Sequence, residues 1–328
     1  MAIKRRATWA ALLAATLLSR RGWAQAFPQR PLRIVAPYAP GGLSDILART
    51  LANGMSQRLG QPVVVENRVG ANTIIGSQIV AQAAPDGHTL LLTSGAGYVA
   101  NPLIYRTMPF DPQRDLRVIA VLVETPFVLV VKGESQVRSL EDLVALGKRR
   151  TDGLNFAAVG RGNPLQLTAE MFRSAAGFEM TSVVYTGATP AHLALQTGDV
   201  DFMIDVLGNS MPLIRDGKVR ALAVTTRGRA ALVPDVPTLA ERGFHDIVAA
   251  TWFGLALPRP VPEPVVAEIT RAVAATAAEE GFAKRFAEFG LVVQPPQDAA
   301  AIEAYLAEER ARWRKVIEER GLTLDSVQ

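Results

Sequence analysis

An α/β fold, with parallel strands and helices packed on both faces, is predicted by three observations. The mature-looking part of the chain opens on a strand–helix–strand alternation, a second such series begins near residue 154, and 49% hydrophobic against 20% charged residues supplies a sizeable core. Leu32–Pro37 reads as a short buried strand, ending in the turn-rich loop Tyr38-Ala39-Pro40-Gly41-Gly42. A helix is expected from Ser44-Asp45, with Ser44 as its N-cap. Leu47, Leu51, Met55 and Leu59 recur at four-residue spacing to make its apolar face, and Gly60 stops it. Val63-Val64-Val65-Glu66 is the next strand.

The alternation continues. The loop Asn67–Asn72 leads into a helix over Ile74–Ala84, and Pro85-Asp86-Gly87 turns the chain into the strand Thr89–Thr93, followed by the loop Ser94–Gly97. Two strands are expected at Arg117–Glu124 and Phe127–Lys132. Ser139 and Asp142 have capping-box spacing before a helix over Leu140–Arg149. In the second series, Leu154–Val159 is a strand, Gly160–Pro164 a loop and Leu165–Ala176 a helix. Thr181–Tyr185 follows as a strand and Thr186–Thr189 as a loop, with Thr189 as N-cap ahead of a first-turn proline, Pro190. Asp201–Val206, Val219–Thr225 and Thr251–Leu257 complete the strands. The last part is helical, with Ile302, Leu306, Trp313 and Ile317 sharing one face.

A chain of 328 residues favours two domains. Two α/β units with a helical tail fit either two sequential domains or a chain that crosses twice, its tail returning to the first. There are no cysteines, which excludes disulfides, thiolate metal sites and a cysteine nucleophile. The formal charge of +4 comes from the N-terminus. Residues 1–26 hold five basic and no acidic residues, leaving 30 basic against 31 acidic ones. No basic stripe for nucleic acid is present. Those 26 residues read as an export signal: Lys4-Arg5-Arg6, an apolar run over Ala7–Leu18, and Ala24-Gln25-Ala26 at a cleavage site. Arg5-Arg6 leaves general and twin-arginine export both open. No later stretch is long and apolar enough to span a bilayer.

Three strands run into glycine-rich or small-residue loops that precede helices: Ala39–Ser44, Gly160–Pro164 and Thr186–Thr189. Free N–H groups and a partial positive charge at a helix start attract an anion, and glycine lets it approach the backbone. In open α/β sheets, ligands sit beyond the carboxyl ends of strands. Facing loops would form a carboxylate site without a formal cation. Each loop alone is equally a tight strand-to-helix turn. Catalytic patterns fail: no phosphate-loop or dinucleotide fingerprint is present, Gly208-Asn209-Ser210-Met211-Pro212 misses the nucleophile elbow, and no metal-ligand spacing occurs. His88, His192 and His245 are scattered and Trp252 and Trp313 read as packing residues, so neither a cofactor nor a metal is expected.

Arg30–Asp45, with its Pro40-Gly41-Gly42-Leu43-Ser44-Asp45 end, resembles the opening of the Bug family, receptors of tripartite tricarboxylate transporters. The likeness recurs at Leu59–Arg68, Ala84–Leu91, Leu222–Thr225, Pro234–Thr238 and Trp252-Phe253-Gly254. The resemblance implies an α/β, two-domain periplasmic binding protein fold of type II (double crossover), each domain a mixed sheet flanked by helices. Residues 27–126 plus 248–328 would form one domain and 127–247 the other. It implies a non-enzymatic periplasmic receptor, a monomer, that closes over a di- or tricarboxylate, acidic amino acid or aromatic carboxylate. Its partner would be a membrane permease or, alternatively, a sensor kinase; a periplasmic carboxylate-processing enzyme is the remaining reading. Carried over by position, Tyr38, Gly41, Gly42, Ser44 and Asp45 belong to the first binding loop, Ala71 and Asn72 to the second, and Ser94 and Gly95 to the third. Gly160, Gly162, Tyr185, Gly187, Pro190 and Asp205 are expected from the other domain. Asp45 is expected to cap its helix or to select a ligand ammonium or hydroxyl. The chain departs from the family pattern at Gly160-Arg161-Gly162-Asn163-Pro164-Leu165-Gln166-Leu167, where Arg161 and Asn163 enter the candidate set. Arg161 either clamps a second carboxylate or is a surface charge.

Overall fold

The computed structural model describes residues 27–160 and 162–320; the expected export segment, residues 1–26, and Arg161 lie outside the described residues. The first sheet has the order β2 (Val63–Asn67), β1 (Leu32–Ala36), β3 (Thr89–Ser94), β9 (Ala250–Pro258), β4 (Leu116–Lys132). Strands β1, β2 and β3 are mutually parallel, whereas β9 lies antiparallel between β3 and β4. The sheet is therefore mixed, where local alternation alone predicts a parallel one. The second sheet is built on the other half of β4, which pairs antiparallel with β7 (Phe202–Val206) and β8 (Val219–Val224). Strands β5 (Leu154–Val159) and β6 (Met180–Tyr185) extend it in parallel from β7.

The two strands expected at 117–124 and 127–132 are one. Residues Leu116–Pro126 pair with β9, and Phe127–Lys132 pair with β7 and β8. Thr125-Pro126 reads as a break because proline cannot donate to a ladder. It sits where the strand leaves one sheet for the other, so the missing donor falls at the exchange of partners. Thr225 secures this crossing: its Oγ accepts from the Phe127 amide at 3.1 Å and donates to the Ala249 carbonyl at 2.5 Å.

Beyond the crossing, β4 alternates between two cores. Phe127, Leu129 and Val131 enter the large core, which also holds Phe156, Phe172, Phe178 and Phe202, while Val128 and Val130 face a second cluster with Leu195, Met203 and Met211. Burial on both faces explains its uninterrupted apolar run. The first helix, α1 (Leu43–Leu59), has Leu47, Leu51 and Met55 fully buried and ends at Gly60 with φ 66°. It begins one residue before Ser44, with Gly42 as its N-cap and no side-chain cap, so Ser44 does not cap it. Helix α2 (Ile74–Ala81) is shorter than the expected Ile74–Ala84. Next come the short helices α3 (Asn101–Ile104) and α4 (Pro112–Asp115), then α5 (Leu140–Arg149), whose capping box forms as expected. Helices α6 (Pro164–Ala176), α7 (Ala188–Thr197) and α8 (Leu207–Arg215) follow. In α7 the N-cap is Gly187 and not Thr189, which moves Pro190 to the third helical position. Its missing N–H costs nothing there, because the amides of the first turn have no partner in the helix.

The tail returns to the first sheet, as the double-crossing alternative requires. After α9 (Glu263–Ala277) and α10 (Glu280–Ala287), β10 (Val292–Val293) pairs with Val123 and Glu124 of β4. In α11 (Ala299–Arg320), Tyr305 donates its hydroxyl to Glu124 and sets its ring 6.3 Å from that of Trp252. Among the described residues, no helix is long and apolar enough to cross a membrane.

Candidate binding cleft

Strand register places the cleft. Ser94, the last residue of β3, lies opposite Phe253, which lies opposite Val123; Val206, the last of β7, lies opposite Phe127. The carboxyl ends of both strands thus abut the crossing of β4, and their loops face each other across it. Two approaches mark the contact between the lobes. Asn72 Oδ1 lies 3.7 Å from where a Cβ on Gly160 would stand, and Leu43 Cδ2 lies 2.9 Å from the corresponding point on Gly208.

On the first lobe, Gly41 adopts φ 81° so that the chain can turn tightly into α1. Its amide donates to Asp45 Oδ2 at 3.0 Å. The same oxygen accepts from Arg49 Nε at 2.9 Å, and Oδ1 accepts from Asn67 Nδ2 at 2.9 Å. Burial opposes ionisation of Asp45, but the bonds from Arg49, Gly41 and Asn67 outweigh it and hold the carboxyl below its ordinary value. Asn67 also donates to the Tyr38 carbonyl at 3.1 Å, so Asp45 and Asn67 together tie the loop to α1 and β2. Asp45 is 4% exposed and its carboxylate is held by these three protein donors; it does not cap the helix, whose N-cap is Gly42.

The second loop holds three consecutive non-glycine residues in the left-handed region: Ala71, Asn72 and Thr73, with φ 47°, 49° and 76°. A fully buried Asn101 holds them there, since Asn72 Nδ2 donates to Asn101 Oδ1 and Asn101 Nδ2 donates to the Asn72 carbonyl, both at 2.7 Å. The third loop is joined to the first by Tyr38, whose hydroxyl donates to Ser94 Oγ at 2.6 Å and whose ring meets Phe253 edge-on. Burial pushes the Tyr38 phenol well above its ordinary value, so it stays a donor. Beside Gly95 and Gly97, Trp252 Nε1 and Thr73 Oγ1 are buried polar atoms without a protein hydrogen-bond partner.

On the second lobe, the Gly160 amide donates to the Tyr185 carbonyl at 3.1 Å, coupling the loops after β5 and β6. Asn163 is the N-cap of α6, its Oδ1 accepting from the Gln166 amide, and Gln166 in turn accepts from the Gly162 amide at 2.6 Å. A Cβ added at Gly187 would meet nothing within 4 Å, and Pro190 is exposed. Asp205, near the end of β7, is fully buried. Its Oδ2 accepts from Ser210 Oγ at 2.9 Å and lies 2.9 Å from His192 Nε2, while Oδ1 accepts from Asn209 Nδ2 at 3.3 Å. This serine–histidine–aspartate cluster lacks triad order. In a hydrolytic triad the imidazole stands between acid and serine through its two nitrogens; here serine binds the acid directly, and the single nitrogen His192 Nε2 faces both Asp205 and, at 3.3 Å, Ser210 Oγ. His192 and Ser210 were not legible as Asp205 partners, because α7 and α8 bring them in.

Two α/β lobes joined by crossing strands, with helix starts facing one another across the join, define a solute-binding receptor of the periplasmic type. The chain belongs to the tripartite tricarboxylate transporter receptors, whose family description, "Tripartite tricarboxylate transporter family receptor", matches residues 47–322. It is 33% identical over 304 residues to protein BugT of Bordetella pertussis, covering 92% of either chain. Among solved structures it is similar to MatC of Rhodopseudomonas palustris with bound malate, at 32% identity and a TM-score of 0.83 over 89% of this chain and all of that one. It is also similar to R. palustris Rpa4515 with adipate, at 32% identity and a TM-score of 0.85 over 90% and 98% of the two chains. The family resemblance and the type II fold read from the sequence are thereby established, and the protein is a receptor, not an enzyme.

Proposed function

We propose that this receptor captures a small carboxylate between its lobes, closes over it, and presents the closed form to a membrane permease outside the cytoplasmic membrane, after removal of residues 1–26. The observation that carries this reading is the convergence of helix-start loops from β1, β2 and β3 on those of β5, β6 and β7 around one crossing strand. That arrangement offers amides and hydroxyls, with a positive backbone potential, to an anion. The lobes are residues 27–126 plus 248–328 and residues 127–247, a division supported by the change of β4 partners between Pro126 and Phe127. The ligand contacts are assigned to the Tyr38–Ser44 loop, Ala71, Asn72, Ser94 and Gly95 on one side, and to Gly160, Gly162, Asn163, Tyr185 and Gly187 on the other. The bound malate and adipate of the two R. palustris relatives support a carboxylate. Closure follows from a ligand that touches both lobes and so favours the closed state.

The test is a thermal-shift screen of the purified protein against citrate, C4–C6 dicarboxylates, acidic amino acids, nicotinate and aromatic carboxylates. A ligand at about 100 times its Kd stabilises by about 2.7 kcal/mol. A shift with a carboxylate that is recovered unchanged is expected. No shift with any of them, from protein shown by mass spectrometry to be ligand-free, would overturn the reading.

A further inference from the structure

The loop between β5 and α6 has committed several of its backbone donors to the protein. The Gly160 amide goes to the Tyr185 carbonyl, the Gly162 amide to Gln166 Oε1 and the Gln166 amide to Asn163 Oδ1, while Pro164, the first residue of α6, has no N–H. The Gln166 side chain is used at both ends, since its Nε2 donates to Ser182 Oγ at 3.1 Å. Asn163 is used at one end. It is 6% exposed, and its Oδ1 is pinned by the Gln166 amide at 3.0 Å, yet its Nδ2 makes no hydrogen bond to a described residue. Only the oxygen of a carboxamide accepts an amide proton, so the cap fixes which end of Asn163 is the donor and where it points. Nδ2 stands 3.6 Å from where a Cβ on Gly160 would be, and Asn72 Oδ1 comes within 3.7 Å of the same point from the other lobe. The donor lies where the lobes meet. A buried donor left unmet is costly, and an oxygen brought to it removes that cost.

We propose that Asn163 is a specificity-determining residue of the second lobe: its Oδ1 caps α6, while its Nδ2 donates to an acceptor oxygen at the ligand end farthest from the first-lobe loops. The inference rests on the receptor reading above and deepens it by assigning selection of that far end to one side chain. A ligand whose far end is a second carboxylate meets this donor, whereas a hydrocarbon end leaves it unmet. Because the cap holds the carboxamide in place before the ligand arrives, little side-chain freedom is lost on binding.

The test is calorimetric titration of the purified protein with two matched pairs, succinate with butanoate and adipate with hexanoate, in wild type and in Asn163→Asp. Aspartate caps a helix as well as asparagine does, so the variant keeps the acceptor for the Gln166 amide and replaces only the donor with a second oxygen. In a pair that binds, the wild type is expected to hold the diacid about tenfold or more tightly than the monoacid, the scale of a hydrogen bond to a charged group. In Asn163→Asp that preference is expected to fall by about tenfold or more, with the urea midpoint unchanged. Asn163→Ser, which also keeps a capping oxygen and lacks Nδ2, is expected to lower the preference too, and it decides the matter if the first variant is not native by circular dichroism. Equal binding of diacid and monoacid by the wild type overturns the inference, as does a preference that survives in the native variants. Weakening of both acids by one factor also overturns it, and assigns Asn163 to lobe closure instead. In these three cases the receptor reading stands. If none of the four acids binds, the inference falls, and the receptor reading stands if citrate or nicotinate still binds.

Discussion

The Tyr38 hydroxyl donates to Ser94 Oγ at 2.6 Å, so the loop that follows β1 and the loop that follows β3 form one surface at the crossing of the two lobes. Tyr38→Phe keeps the ring contact with Phe253 and removes only that donor. The expected cost is about 1 kcal/mol in denaturant unfolding, with a weaker thermal shift for the carboxylate that the wild type binds. A variant as stable as wild type and with full affinity would show the bond to be incidental.

Asp45 makes stability depend on acid. Its folded pKa lies below its unfolded value, near 3.8, so the folded state binds fewer protons there. The stability it supplies is complete above the unfolded value and is lost as pH falls through the folded one. Asp45→Asn should therefore lower the midpoint of urea unfolding at pH 7 and flatten its decline below about pH 5. Parallel wild-type and variant curves would contradict this.

Thr225 ties both crossing segments through one hydroxyl. Thr225→Val keeps the shape and leaves the buried Phe127 amide and Ala249 carbonyl each without that partner. A loss of about 1–3 kcal/mol is expected. Small-angle scattering should also show a changed spread between open and closed forms.

Gly208 stands where the lobes touch. A Cβ there would meet the Phe289 carbonyl oxygen at 2.4 Å and Leu43 Cδ2 at 2.9 Å, and the first of these is backbone that cannot swing aside. Gly208→Ala is expected to hold the lobes apart and to weaken ligand binding about tenfold or more, the scale of 1–3 kcal/mol of overpacking. Gly281→Ala, which meets nothing within 4 Å, serves as the control with unchanged affinity.

Asp205 anchors the second lobe. Asp205→Ala leaves Ser210, His192 and Asn209 without their shared acceptor in a buried place. About 2–4 kcal/mol of destabilisation is expected, since several polar groups lose one partner together. Wild-type unfolding curves would show the cluster to be dispensable.

Much of the fold was legible. The four-residue spacing of Leu47, Leu51 and Met55 gave the buried face of α1, Ser139 and Asp142 marked the start of α5, and apolar runs marked most of the strands. Other elements were hidden for specific reasons. Pro126 reads as a strand break because its lost donor is visible in sequence, while the exchange of partners that accommodates it is not. Helix α8 contains Gly208, Asn209 and Pro212, a composition that argues against a helix until β7 delivers the chain into it. The left-handed run at Ala71–Thr73 depends on Asn101, about thirty residues away, and no local signal pairs them.

The sequence by itself determined the alternation of strands and helices, the turns that carry glycine, and the kinship written into Pro40–Asp45 and Trp252–Gly254. Such features depend on neighbours within a turn or two of chain. Which polar atoms stay free for a ligand was decided only by the tertiary structure. A carboxylate's availability is set by the donors brought to it, and those of Asp45 and Asp205 include Asn67 and His192, which arrive from other elements. In the sequence both acids stand in candidate binding loops, Asp45 with helix capping as its alternative role; in the fold both accept hydrogen bonds from protein groups.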